Sequence, residues 1–210
     1  MRPRLLDLFC GAGGAAMGYH RAGFDVTGVD IRPQPRYPFA FVQADALDYV
    51  RDHGHEYDAI HASPPCQHYS ALRARSPGRT YPDLLGRTRD ALLGPAVPWA
   101  IENVITAPVH SGVFLCGGMF GLRTYRHRWF ETSCLIFQPH HPAHTVKTST
   151  KKRRADWDAG LHVSVTGDVG SYVGRAALGI DWMTGNELSQ AIPPAYTEWV
   201  GAHLIAVLPR

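Results

Sequence analysis

The sequence predicts an α/β protein with a doubly wound, mostly parallel sheet, and three observations predict it. Short apolar runs alternate with helix-compatible stretches through the first hundred residues. That rhythm marks strand–helix–strand units whose helices cover both faces of one sheet. A glycine-rich turn, Gly11-Ala12-Gly13-Gly14, follows the first run and opens the first helical stretch. Finally, Asp7, Asp30, Asp45, Cys66 and Glu102 fall at or near the ends of successive runs. Ligands bind beyond the carboxyl ends of strands in such sheets.

The elements follow in order. Arg4–Phe9 is an apolar run that ends at the glycine turn, a buried strand. Gly14–Ala22 is helical, and Phe24–Val29 is a second strand that delivers Asp30. Phe39–Gln43 is a third, followed by Asp45 and a helix to about Asp52. Tyr57–Ala62 is a fourth strand that runs into Ser63-Pro64-Pro65-Cys66. Tyr81–Leu93 reads as helix, and Val97–Ile101 as a fifth strand before Glu102-Asn103. Val113–Leu115 and Arg128–Thr132 are further short strands. Residues 133–172 are polar, basic and irregular. Thr184 and Glu187 have the spacing of a capping box. Pro193-Pro194 starts a last helix to about Leu208, with Tyr196, Val200, His203 and Val207 on one face.

Composition narrows the class. The 210 residues are 45% hydrophobic and 19% charged, the profile of a globular chain of one domain or one domain with a small appendage. No apolar run reaches the roughly eighteen residues of a membrane span. No long apolar stretch precedes Asp7, so a secretory signal is not expected. The four cysteines, Cys10, Cys66, Cys116 and Cys134, form no close pair, which fits a reducing cytoplasm. A net charge of +3 permits a nucleic-acid partner without requiring one.

The glycine loop alone is a weak signal, since Gly11-x-Gly13-x-x-Ala16 also fits a dinucleotide turn or a plain helix-packing turn. Joined to Asp30 and Asp45, it indicates an adenosine-like ligand, with one acid for ribose hydroxyls and one for an exocyclic amine. Cys66 sits in a turn stiffened by two prolines. It is a candidate nucleophile or an inert small residue. Glu102 is a candidate acid or an ordinary strand-end carboxylate.

Four motifs in order sharpen this. Asp7-Leu8-Phe9-x-Gly11-x-Gly13-Gly14, Pro64-Pro65-Cys66-Gln67, Glu102-Asn103-Val104 and Arg126-x-Arg128 together resemble the cytosine-5 DNA methyltransferase family, and Gln190-Ala191-Ile192-Pro193-Pro194 is similar to its last motif. The resemblance implies a Rossmann-like sheet of the S-adenosylmethionine-dependent methyltransferase type. It implies residues 1–132 for catalysis and cofactor binding, 133–172 as a reduced target-recognition region, and 173–210 as a segment returning to the catalytic domain. It implies Cys66, Glu102, Arg126 and Arg128 as catalytic. It implies Asp7, Phe9, Gly11, Gly13, Gly14, Asp30, Ile31, Asp45, Ala46, Pro65, Gln190 and Ala191 at S-adenosylmethionine, which leaves as S-adenosylhomocysteine. The chemistry suits these residue types. A thiolate adding to carbon-6 makes carbon-5 of cytosine nucleophilic, and a carboxylic acid protonates nitrogen-3. The base must leave the duplex first.

Double-stranded DNA is the expected partner, with RNA as the alternative substrate, no membrane, and a monomer or homodimer. A bacterial or phage setting and restriction–modification fit this picture. A non-catalytic DNA- or cofactor-binding module is the alternative of a different class. Gln67, Ser70, Arg73, Arg75 and Arg79, joined by Arg87 and Arg89, form a first set of expected nucleic-acid contacts. Arg123, Arg126, His127 and Arg128 form a second, and Lys147, Lys151, Lys152, Arg153 and Arg154 a third. The loop Tyr69–Thr80 is expected to close over substrate. His140, His141 and His144, near Cys134, lack a standard zinc spacing and read as part of a polar recognition loop, so no metal is expected. Two departures stand out. Thr124 replaces the glutamine that usually opens the arginine motif, and only about forty residues remain for target recognition.

Overall fold

A computed structural model describes residues 1–69, 81–151, 153–167 and 169–209. The chain runs β1 (Arg4–Leu8), α1 (Gly14–Ala22), β2 (Asp25–Asp30), β3 (Ala40–Gln43), α2 (Ala46–His53), β4 (Ala59–Ala62), α3 (Leu85–Leu93), β5 (Trp99–Asn103), β6 (Gly112–Leu115) and β7 (Arg128–Thr132). After β7 come β8 (Thr148–Ser149), α4 (Arg154–Asp158), β9 (His162–Val163), α5 (Ser171–Leu178), α6 (Gly185–Gln190) and α7 (Pro194–Ala206). Strands β1 to β7 form one sheet in the order β3-β2-β1-β4-β5-β7-β6. All pairings from β3 to β5 are parallel, and β7 lies antiparallel to both neighbours. The predicted α/β class, with its mostly parallel sheet, is therefore the observed one.

The central strands are apolar on both faces because helices cover both. Leu5, Val26 and Ala59 join Ala16, Tyr19, Tyr196, Val200 and Leu204 in the core under α1 and α7. Leu6, Leu8, Val29, Ile60 and Ile101 pack under α2 and α3 with Val50, Leu85 and Leu92. A third apolar cluster, Val163, Val165, Val169, Val173, Leu178, Ile180, Met183 and Leu188, gathers β9, α5 and α6. It draws on residues from both sides of the expected 172/173 division.

Three local expectations need correction. The helix expected from Tyr81 begins at Leu85, because the Asp83 carboxylate accepts from the Leu85 amide at 3.2 Å and holds a turn before it. On α7 the buried face is Tyr196, Val200 and Leu204, while Val207 lies beyond the helix and is 48% exposed. Within 133–172, the short α4 and the two-stranded β8–β9 pair give order to a stretch read as irregular. At Thr184 the capping carboxylate behaves as expected. Glu187 accepts from the Thr184 amide at 2.7 Å, and Arg36 grips the same carboxylate at 2.8 Å. Among the described residues no helix is long and apolar enough to cross a membrane.

Candidate active site

Strand β4 is fully buried and continues into Ser63-Pro64-Pro65, which delivers Cys66 as the first residue of a 3-10 turn, Cys66–His68. The neighbouring strand holds this turn in place. The Asn103 amide, buried at the end of β5, donates to the Pro64 carbonyl at 3.2 Å, and its oxygen accepts from the Val104 amide at 2.9 Å. Glu102, one residue earlier, is only 5% exposed. Arg128 opens β7, the antiparallel neighbour of β5. Its Nε stands 2.8 Å from Glu102 Oε1, an ion pair by distance. The contact is poorly aligned, so Oε1 accepts no well-directed hydrogen bond. Burial lifts the Glu102 carboxyl above its ordinary range against the opposing charges of Arg128 and Arg126. Burial and the Glu102 charge likewise raise the Cys66 thiol, while Arg128 and Arg126 pull it back. Both groups are thus biased toward their protonated forms.

Behind Glu102 runs a buried polar chain. The Tyr19 hydroxyl lies 2.9 Å from His61 Nδ1, and His61 Nε2 lies 2.9 Å from Ser63 Oγ. The Ser63 hydroxyl is the next donor, toward Glu102. Burial drives His61 down to about 3, so its ring is neutral. If Ser63 gives its single proton to Glu102, then His61 Nε2 donates to Ser63 and Nδ1 accepts from Tyr19. This tautomer follows from the network. Sequence reasoning missed the chain; its signal is one histidine inside the apolar strand Ala59-Ile60-His61-Ala62.

The glycine loop forms the other half of the site. Gly13 sits at φ +86°, and a Cβ there would fall 2.7 Å from Pro38 Cδ. A Cβ on Gly14 would fall 2.6 Å from the Ile192 carbonyl oxygen. Close packing therefore fixes both residues as glycine. Asp30 at the end of β2 accepts from the Gly11 amide at 3.1 Å and the Arg32 amide at 2.9 Å. Asp45 caps α2, its Oδ1 accepting from Leu47 and Asp48 amides at 2.9 and 3.1 Å. Ile31 stands 65% exposed beside Asp30, and Ala46 is buried. Asp7 lies fully buried next to the loop. The Tyr37 hydroxyl donates to its Oδ2 at 3.3 Å, and its Oδ1 has no partner. Burial pushes its carboxyl up to about 8. From the C-terminal segment, the Trp182 indole donates to the Ala12 carbonyl at 2.8 Å. Gln190 ends α6 and is exposed, Ala191 is buried, and Pro65 is half-buried.

Several other expected contact residues have partners within the fold. Arg126 spends its donors on backbone carbonyls, with Nε on Ala191 at 2.9 Å and the terminal nitrogens on Val165 at 2.5 Å and Ser189 at 2.8 Å. It acts on Cys66 and Glu102 through charge. Burial and nearby Arg128 push it down to about 9. Arg123 stacks on Trp157 at 3.7 Å and donates to the Trp157 and Leu161 carbonyls. Arg89 grips the buried Glu131 at 2.6 and 2.8 Å. Gln67, Arg87, Lys147, Lys151, Arg153 and Arg154 are exposed. Ser70, Arg73, Arg75, Arg79 and Lys152, with residues 70–80 of the expected closing loop, lie outside the described residues. A groove of about 560 Å³ between α2 and α3, lined by Arg51, Arg87 and Asp90 among others, contains none of the expected catalytic or cofactor residues.

Several solved structures share this architecture from end to end. One is described as a DNA modification methyltransferase encoded within an E. coli prophage, with TM-score 0.66 and 14% identity over 98% of this chain and 99% of that one. A second is the Dnmt2 methyltransferase of S. pombe, with TM-score 0.63 and 12% identity over 98% and 99%. A third is the Entamoeba histolytica methyltransferase EhMeth, with TM-score 0.62 and 12% identity over 100% of both chains. The chain shares the fold of these methyltransferases. At these identities the likeness is one of fold. No protein-family model matches the sequence, and no curated protein matches it.

Proposed function

We propose that the chain is a DNA (cytosine-5)-methyltransferase that moves a methyl group from S-adenosylmethionine to carbon-5 of a flipped cytosine in double-stranded DNA. The observation that carries this is the rim where Cys66, Glu102 and Arg128 meet, with Asn103 tying the cysteine turn to the strand of the acid. A nucleophile and a raised carboxylic acid held on adjacent strand ends are what covalent activation of a pyrimidine needs.

Cys66 Sγ forms a bond to carbon-6 as the thiol proton leaves to solvent, and Arg128 and Arg126 favour the thiolate that attacks. Glu102 gives its proton to nitrogen-3, so the electron pair moves to carbon-5 and not onto an anionic ring. S-adenosylmethionine supplies an electrophilic methyl group on a sulfonium. The carbon-5 proton then leaves to solvent, the carbon-6–sulfur bond breaks, and Cys66 departs as thiolate. The nitrogen-3 proton returns to Glu102. Ser63, oriented by His61 and Tyr19, hydrogen-bonds the carboxylate between its two roles.

Phe9, Gly11, Gly13 and Gly14 form the cofactor's cradle. Asp30 suits ribose hydroxyls, Asp45 an exocyclic amine, and exposed Ile31 the face of a flat ring. Ala46, Pro65, Gln190 and Ala191 complete the lining. Asp7 Oδ1, buried and unpartnered, fits a ligand that brings a donor. The exposed Lys147, Lys151, Arg153 and Arg154 suit phosphates, with residues 133–172 as the reduced target-recognition region. Incubation with radiolabelled S-adenosylmethionine and either duplex DNA or RNA tests the proposal. Cys66-dependent label in the DNA is expected. Label in RNA alone would move the substrate to RNA, and label in neither would leave a binding module.

A further inference from the structure

From three segments of the chain, Cys116, His127, His141 and His144 come together in space, each offering one ligand atom, and all four atoms lie within 4.8 Å of one another. Cys116 follows β6 directly, and its side chain is fully buried. His127 immediately precedes β7. His141 and His144 arrive from the segment after β7. Cys134, the cysteine nearest these histidines in sequence, is not part of the group.

The separations match one shared ion better than mutual hydrogen bonds. Two imidazole nitrogens on a tetrahedral zinc ion stand about 3.4 Å apart, and a thiolate and an imidazole about 3.6 Å. Here His127 Nε2 and His144 Nε2 are 3.4 Å apart, and Cys116 Sγ and His144 Nε2 are 3.3 Å apart. Two Nε2 atoms aimed at each other need one of them protonated, whereas a cation accepts both lone pairs. His141 Nε2 is buried with no hydrogen-bond partner, an orphan that a metal would satisfy. The rings are also held before any ion arrives. Tyr125 stacks on His144 at 3.6 Å, and Phe114 lies 4.8 Å from His127 and 5.6 Å from His141. The Gly117 amide donates to the Tyr125 carbonyl at 3.0 Å, which pins Cys116 beside the arginine motif.

We propose that Cys116, His127, His141 and His144 bind one zinc ion. Four protein ligands close the coordination sphere, which makes the site structural and leaves no position for a reacting water. Binding forms one Zn–S and three Zn–N bonds and releases the Cys116 thiol proton to water. The ion clips the segment carrying His141 and His144 onto the β6–β7 hairpin. His127 lies between Arg126 and Arg128, and its carbonyl accepts from Arg128 at 2.8 Å. The clip therefore also steadies the arginine beside Glu102.

The untagged full chain, stripped with a chelator, reloaded with zinc sulfate and gel-filtered, is analysed for metal by mass spectrometry. About one zinc per chain is expected. Cobalt substitution should give the visible bands of a tetrahedral site and a thiolate-to-cobalt charge-transfer band. His144→Asn alters an exposed ligand and keeps the fold, as circular dichroism will show. Cys116→Ser removes the thiolate band. Either change should weaken zinc binding by more than the roughly 10–100-fold carried by an outer-shell partner. Absence of zinc from the reloaded wild type overturns the proposal, and so does zinc bound equally well by His144→Asn and Cys116→Ser.

Discussion

Asp7→Asn should flatten the protein's loss of stability toward alkaline pH. Asp7 is buried beside the glycine loop, with the Tyr37 hydroxyl on one oxygen and nothing on the other. Burial, with a smaller push from Asp30 and an opposing pull from the Tyr37 hydrogen bond, raises its carboxyl from 3.8 to about 8. The folded chain therefore keeps a proton that the unfolded chain gives up near pH 4. Between those values the folded state binds more protons, so stability falls as pH rises, by about 1.4 kcal/mol per pH unit from this group. From pH 5 to pH 8 the loss traceable to Asp7 is about 4 kcal/mol, a large share of a typical folding free energy. Asparagine has nearly the same shape and does not titrate in this range. Urea unfolding of both proteins at pH 5, 6, 7 and 8, without cofactor, measures the effect. The variant's stability should gain on the wild type by about 4 kcal/mol across that range. Curves that stay parallel to within about 0.5 kcal/mol would refute a buried, proton-holding Asp7.

Other perturbations separate catalysis from scaffolding. Glu102→Gln keeps the shape but removes the proton donor, and single-turnover methyl transfer should fall by about 10²–10⁴ while cofactor affinity holds. Arg89→Met leaves Glu131 buried without its cation. Burial pushes that carboxyl up, and it is the Arg89 hydrogen bond that holds it below its usual range. Loss of Arg89 should lower stability by about 3 kcal/mol in chemical denaturation and leave DNA affinity unchanged. The triple change Lys151, Arg153 and Arg154 to Ala should do the reverse. Duplex affinity falls, and the salt dependence flattens by about 0.9 in log–log slope per lost phosphate contact, with the melting temperature unmoved.

Legibility in the sequence followed the range of the interaction. Gly14–Ala22 and Arg128–Thr132 match the observed elements at both ends, because periodicity, glycine turns and β-branched or aromatic runs act locally. The capping carboxylate of Glu187 was legible for the same reason. Strand order was not, since β7 lies between β5 and β6 through long-range pairing alone. Within the site, Cys66, Asn103 and Glu102 announced themselves by motif, and the sheet sets their strands side by side. Arg126 shows the limit. Its motif position marks it as a substrate contact, but its partners are carbonyls 39 to 65 residues away. Arg89 and Arg123 likewise have partners within the fold, and a charge run does not reveal which of its members do. Of the Cys116–His144 cluster, only His141 and His144 stood out in the sequence, beside Cys134, because Cys116 and His127 join them from other segments with no metal-binding spacing.

The most direct test of the central claim uses duplex DNA carrying 5-fluorocytosine together with S-adenosylmethionine. Fluorine cannot leave as the carbon-5 proton does, so a covalent intermediate accumulates. Peptide mass spectrometry should find the methylated fluorocytosine attached to Cys66, and Cys66→Ser should yield no adduct while still binding the cofactor. An adduct at another residue, or methyl transfer that persists in Cys66→Ser, would contradict the account.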